Sequence, residues 1–295
     1  MDKWVVYILL AVCLSSCGQA RGNKQVKQGT DSLQNDTVVS HPVDSLAYAY
    51  LKSGRIMYEN GDKLGAIAKY NKAIEIDPLY MLAYYNRGLS KSKIGDNQGA
   101  IDDYSKAIQI NPQYIKAYFS RGLIKSKLGD NKEAIVDYSK AIQINPQYIK
   151  AYFNRGNCKS KLGDKEGAIS DYNKAIELDA QNINAYINLG VEKYELGDYE
   201  GEIATYRLAI KNCSPDADLY NNLGRALYDL KRFKEAAEAY GEGIKAFPND
   251  GKLYYGRGLA RKQSGDKNGA CEDWHRSSEL GCLQANALLL LCGEK

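Results

Sequence analysis

From Ala47 onward, apolar positions recur at spacings of three and four residues, in short runs that fit one face of a helix. The runs come in pairs. Gly-Asp separates the two members of a pair (Gly95-Asp96, Gly129-Asp130, Gly163-Asp164), and Asn-Pro closes it (Asn111-Pro112, Asn145-Pro146). Glycine suits the left-handed residue after the first helix, aspartate caps the second, and proline cannot continue it. The pattern predicts helical hairpins and contains no strand signature.

The hairpins repeat every 34 residues: 115–148 nearly duplicates 81–114 and 149–182. A frame set at Ala47 yields seven units without insertion or deletion, at 47–80, 81–114, 115–148, 149–182, 183–216, 217–250 and 251–284. The fourth position is Tyr in all seven (Tyr50 to Tyr254) and the eighth is Gly (Gly54 to Gly258). The twenty-fourth is Tyr70, Tyr104, Tyr138, Tyr172, Tyr206, Tyr240 and then Trp274. These two columns supply 13 of the 24 tyrosines, so the tyrosine excess over 4 Phe and 2 Trp reads as core packing. Ala at the twentieth position (Ala66, Ala100, Ala134, Ala168) allows close helix packing.

This pattern resembles the tetratricopeptide repeat. The resemblance implies an all-α fold, a right-handed superhelix of seven helix-turn-helix units followed by a C-terminal capping helix and tail at 285–295. Units five and six depart from the pattern. Glu202 replaces the close-packing Ala, Ala180 and Ser214 replace Pro, and Lys231-Arg232 replaces Gly-Asp. They are expected to pack or turn differently.

Two further columns vary together. Arg87, Arg121, Arg155 and Arg257 stand at position 7 where Asp103, Asp137, Asp171 and Asp273 stand at position 23. Where the Arg is missing (Ser53, Leu189, Leu223) the Asp is missing too (Lys69, Thr205, Ala239). Such joint presence and absence predicts an ion pair between the two helices of a unit.

Ahead of the repeats, residues 4–14 are apolar and too short to span a bilayer, which fits a signal-peptide core. Ser15-Ser16-Cys17 follows and resembles the bacterial lipoprotein box. By that resemblance 1–16 is a signal peptide, Cys17 carries lipid, and 17–46 is a flexible polar tether about 30 Å in reach. The expected location is a bacterial cell envelope, anchored to the inner or outer membrane with the repeats in the periplasm.

A net charge of +4, from 40 Lys plus Arg against 36 Asp plus Glu, is too mild to imply nucleic acid. Only two His are present, His41 in the tether and His275, so no His-based triad emerges. The sequence offers no catalytic constellation, cofactor motif or His-rich metal site, and reads as non-enzymatic. Five Cys lie beyond the signal region. If a final helix runs back after Gly281, Cys271 and Cys292 fall at similar heights of a hairpin and can form a disulfide. Packed free thiols, or a zinc site of Cys271, His275, Cys282 and Cys292, are the alternatives.

In tetratricopeptide proteins the first helices line a concave groove. By resemblance its floor here includes Tyr85, Phe119 and Phe153, its rim Lys93, Lys116, Lys127, Lys150 and Lys161, and its acidic continuation Glu195, Asp218 and Asp229. Asn86, Asn154, Asn188 and Asn222 share position 6 and resemble the asparagine ladder that holds peptide backbone in the repeat superhelix of O-linked N-acetylglucosamine transferase. The expected partner is a protein or peptide carrying acidic residues, with membrane contact through the lipid anchor only. Self-association through the Leu-rich stretch 285–291, or capture of anionic cell-wall fragments, are the competing readings.

Overall fold

The computed structural model describes residues 43–293; Cys17 and the segment read as a signal and most of the tether lie outside them. The described residues form fifteen α-helices, a terminal 3-10 turn and no strand. The chain divides into two compact units, the first ending at Ala180 and the second beginning at Gln181.

The first unit holds four hairpins: α1 (Ser45–Glu59) with α2 (Lys63–Ile76), α3 (Met81–Lys93) with α4 (Asn97–Ile110), α5 (Ile115–Leu128) with α6 (Asn131–Ile144), and α7 (Ile149–Lys161) with α8 (Lys165–Leu178). The second holds three: α9 (Ile183–Glu195) with α10 (Tyr199–Asn212), α11 (Ala217–Asp229) with α12 (Phe233–Ala246), and α13 (Gly251–Gln263) with α14 (Lys267–Glu279). A short α15 (Gln284–Leu289) and the turn Leu290–Cys292 complete it.

Local chemistry sets the helix ends. Asp62, Asp96, Asp164, Asp198 and Asp266 each accept a hydrogen bond from a backbone N–H in the first turn of the helix they precede. Asp130 holds the same place without a side-chain cap bond. Gly163 turns the chain at φ +82°, a left-handed value that costs glycine little. In unit six Lys231 takes that conformation at φ +60°. Arg232 then stands where the capping Asp would be, held by Glu235 and Glu200 instead. The turn departs from the repeat while the hairpin survives.

The twenty-fourth-position aromatics are the centre of each hairpin, all buried, with Tyr138 and Tyr206 at 0% exposure. The glycine column lets them in: a Cβ at Gly156 would stand 2.8 Å from Tyr172 Cε1. The fourth-position tyrosines are half-buried except Tyr186. At the C-terminal end, Leu288 and Leu289 pack on Ala270, Trp274 and Ala285. A disulfide joins Cys271 to Cys292 across a Cα–Cα distance of 5.7 Å. Cys158, Cys213 and Cys282 lie outside it. No group of side chains able to hold a metal ion occurs among the described residues, and no described helix is long and apolar enough to cross a membrane.

Candidate functional site

In the first unit, three consecutive hairpins carry the same buried polar assembly. Arg121 donates from Nε and Nη2 to the two carboxylate oxygens of Asp137 at 3.0 and 2.6 Å. Lys125 adds a third charge-assisted bond at 2.8 Å. The remaining Arg121 Nη1 donates to Ser105 Oγ of the preceding hairpin at 2.8 Å, and the ring of Tyr118 lies 5.8 Å from the guanidinium carbon. Arg87 repeats this with Asp103, Lys91 and Asn71, and Arg155 with Asp171, Lys159 and Ser139. The carboxylates are 1–3% exposed, so each charge has left water for a bidentate arginine and a second cation. The arginine thereby ties two hairpins together as well as two helices.

The first helices of this unit present an aromatic and basic surface on their other side. Tyr85, Phe119 and Phe153 are half-buried. Tyr85 packs edge-on to Tyr114 at 5.1 Å, and Phe119 to Tyr148 at 5.1 Å. Phe153 meets Tyr172 at 6.0 Å. Beside them, α3, α5 and α7 each end in two lysines with different fates. Lys91, Lys125 and Lys159 are drawn onto the buried aspartates, whereas Lys93, Lys127 and Lys161 stay exposed. Lys150 is exposed and Lys116 half-buried at the opposite ends of their helices. Asn86 and Asn154 donate their amide N–H to Leu82 O and Lys150 O, one turn back in their own helices, at 2.7 and 2.8 Å. Those amides therefore present an acceptor to a partner more readily than a donor.

The second unit solves the same positions in three ways. In α13 and α14 the ionic assembly returns: Arg257 is bidentate on Asp273 at 2.9 and 2.6 Å, joined by Arg261 at 3.0 Å. In α9 and α10 a hydroxyl replaces the carboxylate, and Lys193 donates to Thr205 Oγ1 at 3.0 Å. In α11 and α12 the place is apolar, filled by Leu223, Leu227 and Ala239. Asn188 and Asn222 are half-buried here. Glu195, Asp218 and Asp229 are exposed.

Glu202 is the outlier. It is 1% exposed, its Oε1 makes no hydrogen bond, and the nearest guanidinium nitrogen of Arg225 is 4.0 Å away. Burial pushes its carboxyl up to about 7, with Arg225 opposing and Asp229 adding to the rise. Burial also pushes the neighbouring Tyr206 hydroxyl up to about 12.

Family models described as TPR repeat match residues 54–95, 92–129 and 124–163, and models described as tetratricopeptide repeat match 149–182, 183–214 and 217–250, more than half of the chain together. The chain belongs to the tetratricopeptide repeat family. Its repeats continue past those matches, since α13 and α14 form a seventh hairpin with the same Arg–Asp assembly. No curated protein matches the sequence. Among solved structures, the fold is similar to a tetratricopeptide repeat protein from Parabacteroides merdae at 20% identity and a TM-score of 0.57, over 84% of this chain and 99% of that one. It is similar to MamA at 25% identity and a TM-score of 0.52, over 54% and 93% of the two chains. It is also similar to YrrB, described as a TPR protein with an unusual peptide-binding site, at 18% identity and a TM-score of 0.51, over 63% and 96%. The tetratricopeptide fold is that of a protein-interaction scaffold.

Sequence reasoning missed two sets of residues. The second cation stands at position 11 in all four units that carry the Arg and Asp, as Lys91, Lys125, Lys159 and Arg261, and also in unit five, as Lys193. That coincidence was the available signal. Tyr114 and Tyr148, which brace the floor aromatics, share position 34 with Tyr80 and signal nothing until the helices are folded.

Proposed function

We propose that this is a non-enzymatic scaffold that binds an extended or amphipathic segment bearing carboxylates along the first-helix face of its N-terminal unit, acting from a lipid anchor at Cys17 in a bacterial envelope. The observation that carries the reading is the divided fate of the paired lysines. One of each pair is neutralised inside the hairpin, while Lys93, Lys127 and Lys161 remain exposed at 34-residue intervals beside the aromatic floor. A row of cations next to apolar rings suits a partner with acidic residues at intervals and apolar side chains between them. Asn86 and Asn154 add acceptors for a partner's backbone N–H. The role fits an accessory factor in envelope assembly or secretion.

The test is crosslinked capture from the native envelope by the full chain, against Lys93→Glu/Lys127→Glu/Lys161→Glu with unchanged helicity. A partner held by the wild type, released by salt and lost by the triple variant supports the reading. Equal capture by both removes it. Labelling with a palmitate analogue, lost in Cys17→Ser, tests the anchor separately.

A further inference from the structure

Inside each unit, a first helix lays one stripe of residues against the second helix of the hairpin before it. In α3 and α5 that stripe includes Ala83 and Ala117, both 0% exposed, with Ser90 at 0% and Ile124 at 7%. Tyr80, just before α3, is 3% exposed. One repeat earlier, α1 carries the same stripe as Leu46, Ala49, Ser53 and Ile56. Nothing among the described residues covers it: Leu46 is 55% exposed, Ile56 50%, Ala49 is exposed and Ser53 half-buried. The end helix of a repeat array needs a polar outer face where it meets water. This one is apolar.

The stripe is also not built for another hairpin. In α3, α5 and α7 the residue at the place of Ser53 is an arginine that reaches into the preceding hairpin, to Asn71, Ser105 or Ser139. Ser53 offers no such arm and leaves a short side chain instead. The order along α1 is large, small, small, large at spacings of three, four and three. Reversing that order leaves it unchanged, so an antiparallel copy sets Leu46 against Ile56 and Ala49 against Ser53. A surface that matches itself under a two-fold rotation is the requirement for a closed dimer. The exposed leucines at the other end of the chain, Leu283, Leu290 and Leu291, lack it: Leu283 precedes a six-residue helix and the other two lie on the single turn after it, with no symmetric spacing.

We propose that the outer face of α1 docks a second copy of this chain, helix against helix and antiparallel, with Ala49 and Ser53 at the crossing. The small residues let the backbones approach, and the contact continues outward the packing each later first helix makes inward. One helix about 22 Å long buries less than a standard complex, so the dimer is weak and concentration-dependent. This surface is separate from the lysine-lined face, and either can fail without the other.

The experiment uses the full chain carrying Ala49→Cys or Ser53→Cys, alone and as an equimolar mixture, treated with a short bismaleimide and mapped by mass spectrometry. The wild type controls for native thiols. The mixture is expected to give the 49–53 intermolecular link in preference to 49–49 or 53–53, and Ile56→Glu, at an exposed position, is expected to weaken association by about tenfold or more. Preferential 49–49 linkage overturns the antiparallel arrangement. A thiol at position 49 that is shielded from maleimide yet forms no intermolecular link overturns the second copy as occupant. A sedimentation profile independent of concentration, or a dimer unaffected by Ile56→Glu, overturns the proposal altogether.

Discussion

The two units build the same hairpin on different interiors. From α3 to α8 the first repeats one ionic assembly three times, each aspartate bonded to an arginine and a lysine. The second spends a hydroxyl in one hairpin, leucines in the next and a carboxylate with two arginines in the last. Helix pairing is therefore indifferent to what fills the space between positions 7, 11 and 23. It is sensitive to whether that filling is complete. Glu202, lodged where other units have alanine, is the one carboxylate of the comparison whose partner stands too far off for a hydrogen bond.

The most damaging way to break the comparison is to remove one member of an assembly. Asp137→Ala strands Arg121 and Lys125 beside a buried gap and is expected to cost about 3–5 kcal/mol, read as a lower urea midpoint and lost amide protection in α5 and α6. Transplanting the apolar solution of unit six, as Arg121→Leu/Lys125→Leu/Asp137→Ala, is expected to recover most of that loss. If the triple variant is as unstable as the single one, the interiors are not interchangeable.

Opening the Cys271–Cys292 bridge by Cys292→Ser comes next. It frees a loop of sequence separation 21 and is expected to remove about 3 kcal/mol from α14 and α15, seen as faster hydrogen exchange there and little change in α1–α8.

A gentler probe is pH. The folded chain holds a proton on Glu202 up to about pH 7, while the unfolded chain releases it near 4.5. Stability therefore falls as pH rises from about 4.5 to about 7 and is flat, for this group, outside that window. Glu202→Gln is expected to remove this group's share of the slope, leaving that of Asp229, whose carboxyl burial also pushes up, and to be about 2–3 kcal/mol more stable than the wild type at pH 8. Matching pH profiles of the two proteins would show that Glu202 is charged and accommodated.

The smallest effect compares caps within the first unit. Asp96→Ala removes a bond to Gly99 N–H and is expected to cost about 1 kcal/mol in α4, whereas Asp130→Ala, with no such bond, should cost α6 measurably less.

The fold is legible in the sequence because a 34-residue period puts the same residue types into the same contacts seven times, and any one column repeats the message. The site is legible only in part. Arg121 and Asp137 vary together across repeats, but Lys125 resembles any surface lysine until its helix is wound and its amine falls beside the carboxylate. The amides of Asn86 and Asn154 occupy one column, yet a column does not fix a rotamer, and both turn back to their own helix. Glu202 is conspicuous as a departure from alanine. Its unsatisfied oxygen is not, because that depends on how far Arg225 can reach from the next hairpin.

Cys292 occupies the eighth position of what would be an eighth unit, the column that is glycine in all seven before it. A linear array of hairpins loosens from its ends, since an end unit has a neighbour on one side only. With the last turn tied to α14, fraying at that end means moving a closed ring rather than peeling a strand. Loosening of the second unit at α15 therefore waits on reduction of the bridge.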